Sequence, residues 1–246
     1  MTLKLGTNLT NNYSINFDPK KRDKNKLLFI IVHYTGMKNE SKAIERLCSS
    51  KSKVSAHYFI KYSGEILNLV PDLYTAWHAG ESFWKKFKSL NKYSIGIEIS
   101  NPGHDNGYRK FSSKQIISIM KLLKYLMKKY NIEKQNILAH SDIAPDRKKD
   151  PGEKFPWSKL AKKNLCRWHN LNLKKIRKFR NLKTNNYEEN LFLINLSKIG
   201  YFNSEKINFH KKNVNLVKAF QRKFRQNLIN GKIDQECLLI CKNLIK

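Results

Sequence analysis

The first sustained apolar segment runs from Leu27 to Tyr34 and is broken by no polar residue until His33. A short continuous apolar run of this kind reads as a strand buried on both faces, at the centre of an α/β sheet. Ser41 to Ser50 places Ala43, Ile44, Leu47 and Cys48 at helical spacing. Val54–Ile60 and Glu65–Val70 read as two strands joined by a hairpin turn at Tyr62, Ser63 and Gly64. Ser94 to Ser100 alternates strictly, with Ile95, Ile97 and Ile99 on one face and Gly96, Glu98 and Ser100 on the other. Ser112 to Tyr130 is the strongest helix. It has a broad face of Ile116, Ile117, Ile119, Met120, Leu123, Leu126 and Met127, and Ser112 with Gln115 resembles a capping box. Asn136 to Ala139 is one more short buried strand.

Between His140 and Trp157 the periodicity disappears. Pro145, Pro151, Gly152 and Pro156 make most of this stretch loop. A loop of this length without its own pattern is usually functional or disordered. It carries His140, Asp142, Asp146, Lys148 and Asp150, and Phe155 and Trp157 anchor its end. Trp157 to about Arg180 reads as helical and very basic, and Asn181–Asn186 as a linker. The tail offers three short helices, Leu191–Ile199, Val214–Phe224 and Cys237–Ile245, with a break at Asn230 and Gly231. The pattern therefore predicts an α/β fold, a mixed central β-sheet flanked by helices, plus a small C-terminal three-helix bundle. Its expected divisions are a polar leader at 1–26, a catalytic domain at 27–180 and a helical domain at 187–246.

Composition adds a formal net charge of +30 over 246 residues. Lys is spread along most of the chain, which implies attraction to polyanions such as nucleic acid, anionic lipid or acidic wall polymer. Cys48, Cys166, Cys237 and Cys241 form no C-x-x-C pair and suggest no disulfide framework. No apolar run approaches transmembrane length. The N-terminal residues lack the apolar core of a secretory signal, so a cytoplasmic location is expected, with signal-independent export left open.

Candidate chemistry gathers at the strand ends and in the unpatterned loop. His33 closes the first strand, where open α/β sheets place their sites, although a histidine there is more often a satisfied core residue. With His140 and Asp150 it would make a two-His, one-carboxylate set, the donor set that holds catalytic zinc with a fourth position open to water. These residues lie far apart in sequence, so spacing alone does not prove the site.

Five pieces occur in one order: Ile31 to Thr35, Ser55 to Tyr58, Ala76 to Gly80, Ser94 to Glu98, and His140 to Trp157. In that order they resemble the zinc N-acetylmuramoyl-L-alanine amidases of type 2, the AmpD/AmiD kind, over roughly residues 27–160. The Ala76–Gly80 piece and the run Arg147 to Gly152 are most similar to the AmiD branch. Ala219 to Gln226, with Asn230, Gly231 and Asp234, resembles the three-helix peptidoglycan-binding domain of wall hydrolases. Gln226 stands where that motif usually has Pro, and Cys237 where it usually has Thr. The missing signal departs from the exported AmiD type.

The resemblance implies that His33, His140 and Asp150 bind Zn2+, that Glu98 is general base and then acid, and that Lys148 stabilises the oxyanion. His57, Trp77, His78 and Asn101 would line the substrate groove. The implied reaction cuts the amide between the lactyl group of N-acetylmuramic acid and L-alanine, in peptidoglycan or muropeptides, including anhydro-muropeptides. Two other classes compete. One is a non-catalytic peptidoglycan recognition protein, which would have lost a zinc ligand. The other is a basic nucleic-acid-binding protein, for which the charge gives only salt-sensitive, non-specific binding and no recognition motif is present. The tail, read as tethered by the linker, implies that a chain ending near Lys183 would still hydrolyse soluble muropeptides at near-normal rate.

Overall fold

The structure, a computed structural model, describes residues 13–201 and 213–246. A five-stranded mixed sheet forms its centre, in the order β4-β3-β8-β2-β9. Its strands are β2 (Phe29–Tyr34), β3 (Tyr58–Ile60), β4 (Ile66–Asn68), β8 (Ser94–Ile99) and β9 (Ile137–Ala139). β2 runs parallel to both β8 and β9, β3 runs parallel to β8, and only the edge strand β4 is antiparallel. The apolar run at 27–34 thus lies between two neighbours, as a strand without alternation must. The remaining strands are two-residue pairs: β1 (Phe17–Asp18) with β5 (Thr75–Ala76), and β6 (Phe83–Trp84) with β7 (Phe87–Lys88).

The alternation in β8 decides which face is which. Ile95, Ile97 and Ile99 join Ile30 and Val32 against helix α2 (Ser113–Tyr130), whose Ile119, Leu122, Leu123 and Leu126 are buried there. Ser112 and Gln115 close the capping box at its start, and Asn131 in the left-handed conformation ends it. Ile117, counted in the apolar face from the sequence, is 53% exposed, and Leu122 takes a core position instead. A shorter helix, α1 (Glu40–Cys48), covers β3 and β4 through Ala43 and Leu47.

On the other face Phe29, Ile31, Leu138 and Ile143 share one apolar cluster with the tail helices α6 (Asn186–Ile199), α7 (Val214–Phe224) and α8 (Gln235–Leu244). The three-helix tail is present as expected, but it is packed on the sheet instead of hanging from a linker. Within the presumed linker, Asn181 donates its backbone N–H to Asp234, and Leu182 accepts from Gln235. The basic segment 157–180 is not one helix. It holds only the short helices α4 (Trp157–Ala161) and α5 (Leu173–Ile176) and a 3-10 turn at Arg177–Phe179. Asn164 in the left-handed conformation ends the first piece, and Leu165 and Cys166 turn into the core. Repulsion between successive like charges favours such a break.

The N-terminal leader also differs from expectation over its described part. Ser14 and Asn16 are buried, and Arg22 donates to the carbonyls of Asn91, Ser94 and Asp72. Those hydrogen bonds hold residues 13–26 against the sheet domain; residues 1–12 lie outside the described residues. No described helix is long and apolar enough to cross a membrane.

Candidate metal and catalytic site

Parallel register brings the strand ends to one edge of the sheet. His33 in β2 pairs with Glu98 in β8, and Val32 pairs with Ala139, the last residue of β9. His140 therefore follows directly at the same edge, on a one-turn helix α3 (His140–Ile143). Asp150 comes back to that edge from the loop, and its carbonyl accepts the N–H of Ser141 at 3.0 Å.

The three side chains converge. His33 Nδ1 is 2.9 Å from His140 Nδ1 and 3.1 Å from Asp150 Oδ2, and His140 Nδ1 is 2.9 Å from the same oxygen. All three residues are buried, with donor atoms within 4.8 Å of one another.

Hydrogen bonds on the far side of each ring fix what faces inward. Ser94 Oγ gives its proton to the Leu90 carbonyl at 2.7 Å, so it accepts from His78 Nε2 at 3.3 Å. His78 Nδ1 is then an acceptor, and His33 Nε2 donates to it at 3.0 Å. His140 Nε2 donates to the Ala79 carbonyl at 3.1 Å. Each imidazole thus carries its proton outward and turns an Nδ1 lone pair toward the carboxylate. Three lone-pair donors this close repel one another unless a cation lies between them. A two-His, one-carboxylate set of this kind, oriented from behind by further hydrogen bonds, fits zinc.

The electrostatics agree. Burial, then the neighbouring His140, lowers the His33 pKa to about 4, so the ring is neutral at neutral pH, as a metal ligand must be. Burial alone would raise the Asp150 carboxyl, but the close approach of His140 and His33 outweighs it and holds it well below the usual carboxylate range.

Glu98 lies on the site face, opposite the isoleucines, as the alternation requires. Its Oε2 is buried and has no hydrogen-bond partner. Burial first, and the nearby Asp150 charge second, push its pKa up to about 8. Glu98, Lys148, His140 and Asp150 line one cavity of about 430 Å³ with Trp77 and His78. Trp77 is held there by a hydrogen bond from its Nε1 to Asp18 Oδ1 at 2.8 Å.

Two residues expected in the groove are elsewhere. His57 has no exposed surface; its Nδ1 accepts from the Gly96 N–H at 2.9 Å, and its Nε2 lies 3.0 Å from the Tyr74 carbonyl. Asn101 is likewise buried, with its amide donating to the Arg109 carbonyl and its oxygen accepting from Gly103. Both are internal anchors and line no part of the cavity. Arg46 and Arg147 line it and were missed from sequence. Arg147 stood in the charged loop beside Lys148, but nothing separated it from a solvated residue.

Convergent candidate metal donors at the C-terminal ends of parallel strands, beside a carboxylate with a buried oxygen, are the arrangement that a hydrolase of the metal-dependent class would need. A family model described as N-acetylmuramoyl-L-alanine amidase matches residues 23–153. The chain belongs to this family of amide hydrolases. It is 30% identical over 238 residues to N-acetylmuramoyl-L-alanine amidase AmiD of Escherichia coli (strain K12), covering 88% of this chain and 82% of that protein. Among solved structures, the complex of E. coli AmiD with anhydro-N-acetylmuramic acid-L-Ala-D-gamma-Glu-L-Lys is similar at a TM-score of 0.77 and 28% identity, covering 93% of this chain and 91% of that one. AmpDh3 from Pseudomonas aeruginosa, in complex with an anhydromuramic pentapeptide, is similar at 0.76 and 28% identity, covering 96% of both chains.

Proposed function

We propose that this chain is a zinc enzyme cutting the amide between the lactyl group of N-acetylmuramic acid and L-alanine in muropeptides, anhydro-muropeptides included. The observation that carries the reading is the convergence of His33, His140 and Asp150 beside the unpartnered Glu98 carboxylate. The anhydro-muropeptides held in the structures of its relatives AmiD and AmpDh3 support it.

His33, His140 and Asp150 would hold the ion. Zinc, when bound there, supplies a Lewis acid that polarises the scissile carbonyl and lowers the pKa of water. Glu98 takes a proton from the attacking water at its free oxygen and returns it to the nitrogen of L-alanine as the amide bond breaks. Its raised pKa matches a group that must first accept and then release a proton near neutral pH. The Lys148 ammonium, in the same cavity, offsets the negative charge that develops on the carbonyl oxygen. The His78–Ser94 relay keeps the His33 ring oriented throughout.

Arg46 and Arg147 supply positive charge for the carboxylates of a stem peptide. Residues 187–246 are proposed as the peptidoglycan-binding-like bundle, on the Ala219–Gln226 motif.

The test is incubation of the zinc-loaded protein with a purified anhydro-muropeptide, followed by mass spectrometry. Free stem peptide and the anhydro-sugar are expected, both lost on chelation and regained with zinc. An intact substrate, or cleavage at a peptide bond, would overturn the assignment.

A further inference from the structure

Helix α7 and Gln226, two residues beyond its end, touch the His140–Trp157 loop at its beginning, middle and end. At the beginning, Lys223 Nζ lies 2.7 Å from Asp142 Oδ2 and 3.1 Å from the Ile137 carbonyl, and sits over the Trp157 ring. Tyr201, at the end of α6, donates to the other oxygen of Asp142 at 2.7 Å. Asp142 in turn accepts the Ala139 N–H at 2.8 Å and so caps the turn that carries His140. In the middle, Asn215 donates to Asp146 at 3.1 Å. At the end, Gln226 Nε2 donates to the carbonyls of Glu153 at 2.7 Å and Phe155 at 2.6 Å.

Lys223, Asp142 and Tyr201 are each at most 3% exposed. Apolar residues of similar volume would commonly serve stability as well as such a buried charge, so this network is better explained by specificity of geometry. The loop needs that service. Beyond one turn of helix it has little regular structure to order it, and ordering each residue costs conformational entropy. Its two proposed metal ligands, His140 and Asp150, both lie inside the stretch that the contacts bracket. Gln226 is also one of the two residues that depart from the wall-binding motif, and the usual Pro would offer no donor there.

We propose that the C-terminal bundle is a positioning element of the catalytic site, with Lys223 and Gln226 as positioning residues that hold the metal-bearing loop in register with β2. The inference rests on the metal reading above only for what the loop carries, not for the fact that α7 holds it.

The experiment compares full-length Lys223→Met, Gln226→Leu and the double variant with Ile240→Val. Ile240 is buried in the bundle core on α8, and its substitution serves as a control for general loosening. Hydrogen exchange of residues 140–156 is read without metal or substrate. Zinc affinity is read by chelator competition, and kcat and KM on an anhydro-muropeptide. At equal loss of Tm, the double variant is expected to lose at least tenfold protection in 140–156 and tenfold zinc affinity. Its kcat should fall while KM holds, and the control should show none of these changes. Equal loop protection and zinc affinity in the double variant and the control would overturn the proposal. Should Lys223→Met fail to fold, Gln226→Leu carries the same comparison, because Gln226 is only partly buried. A wild-type protein with a protected loop but no amidase activity would count against the proposed reaction and leave the positioning role standing.

Discussion

Gly96 leaves the space that the His78 ring fills. A Cβ on Gly96 would lie 2.6 Å from both Cδ2 and Nδ1 of His78, closer than any real contact allows. Glycine in mid-strand often marks this kind of close approach. His78 Nδ1 is the acceptor for His33 Nε2, so the missing side chain in β8 sets the orientation of a proposed zinc ligand. Gly96→Ala is expected to push His78 away and weaken zinc binding by about 10–100-fold, the usual weight of a residue that orients a ligand from behind. Chelator competition measures this, with circular dichroism to confirm that the fold persists.

Replacing His33, His140 or Asp150 by Ala should remove zinc from the purified protein and abolish hydrolysis. Chelation of the wild type should do the same, reversibly. Metal analysis beside an activity assay checks both, and full turnover in metal-free protein would contradict the proposed mechanism.

Glu98→Gln keeps the size of the side chain but cannot take a proton from water. Zinc content should be unchanged while turnover falls by about 10²–10⁴-fold. Lys148→Ala should also retain zinc and lower turnover. Normal rates in Glu98→Gln would place the base elsewhere.

The same residue gives a pH prediction for the metal-free protein. The folded-state pKa of Glu98 is raised from 4.5 to about 8, so the folded protein keeps a proton that the unfolded chain gives up sooner. This contribution to stability is complete below about 4.5 and is lost as pH rises through about 8. Urea melts of metal-free protein across that window should show a decline that Glu98→Gln removes. An identical slope in both proteins would refute the linkage.

Truncation near Lys183 now has an outcome opposite to the one that a tethered tail implies. It removes Lys223, Tyr201 and Gln226, and it uncovers Phe29, Ile31 and Leu138 on the sheet. Loss of one partner from a buried ion pair alone costs about 3–5 kcal/mol. The shortened chain should lose zinc and activity on soluble muropeptides, measured after its solubility and melting are checked.

The sheet and its polarity were legible because periodicity reports them directly. An unbroken apolar run marked the central strand, and strict alternation put Glu98 on the face away from α2. His33, His140 and Asp150 were legible only through motif order, because 117 residues separate the outer two. The break-up of 157–180 was not legible, since Lys-rich sequence suits a helix by propensity, and the like-charge repulsion and turn at Asn164 that end it give weak local signals. His57 was misplaced for a related reason: a histidine beside a motif looks the same in sequence whether its ring faces a groove or a strand N–H. The reach of α7 into the loop had no local sign at all, because Lys223 and Gln226 look like two more polar residues of a basic tail.

The register of His33 against Glu98 has a further consequence. Two of the participants are fixed by backbone hydrogen bonds between neighbouring parallel strands, and the others arrive on a loop that the bundle must hold. The chemistry is thus divided between a half that is inseparable from the fold and a half that can be withdrawn. A descendant that let the loop go would keep its sheet and Glu98, and would lose His140, Arg147, Lys148 and Asp150 together. On this scaffold the proposed chemistry is therefore most easily lost at the loop instead of the strands.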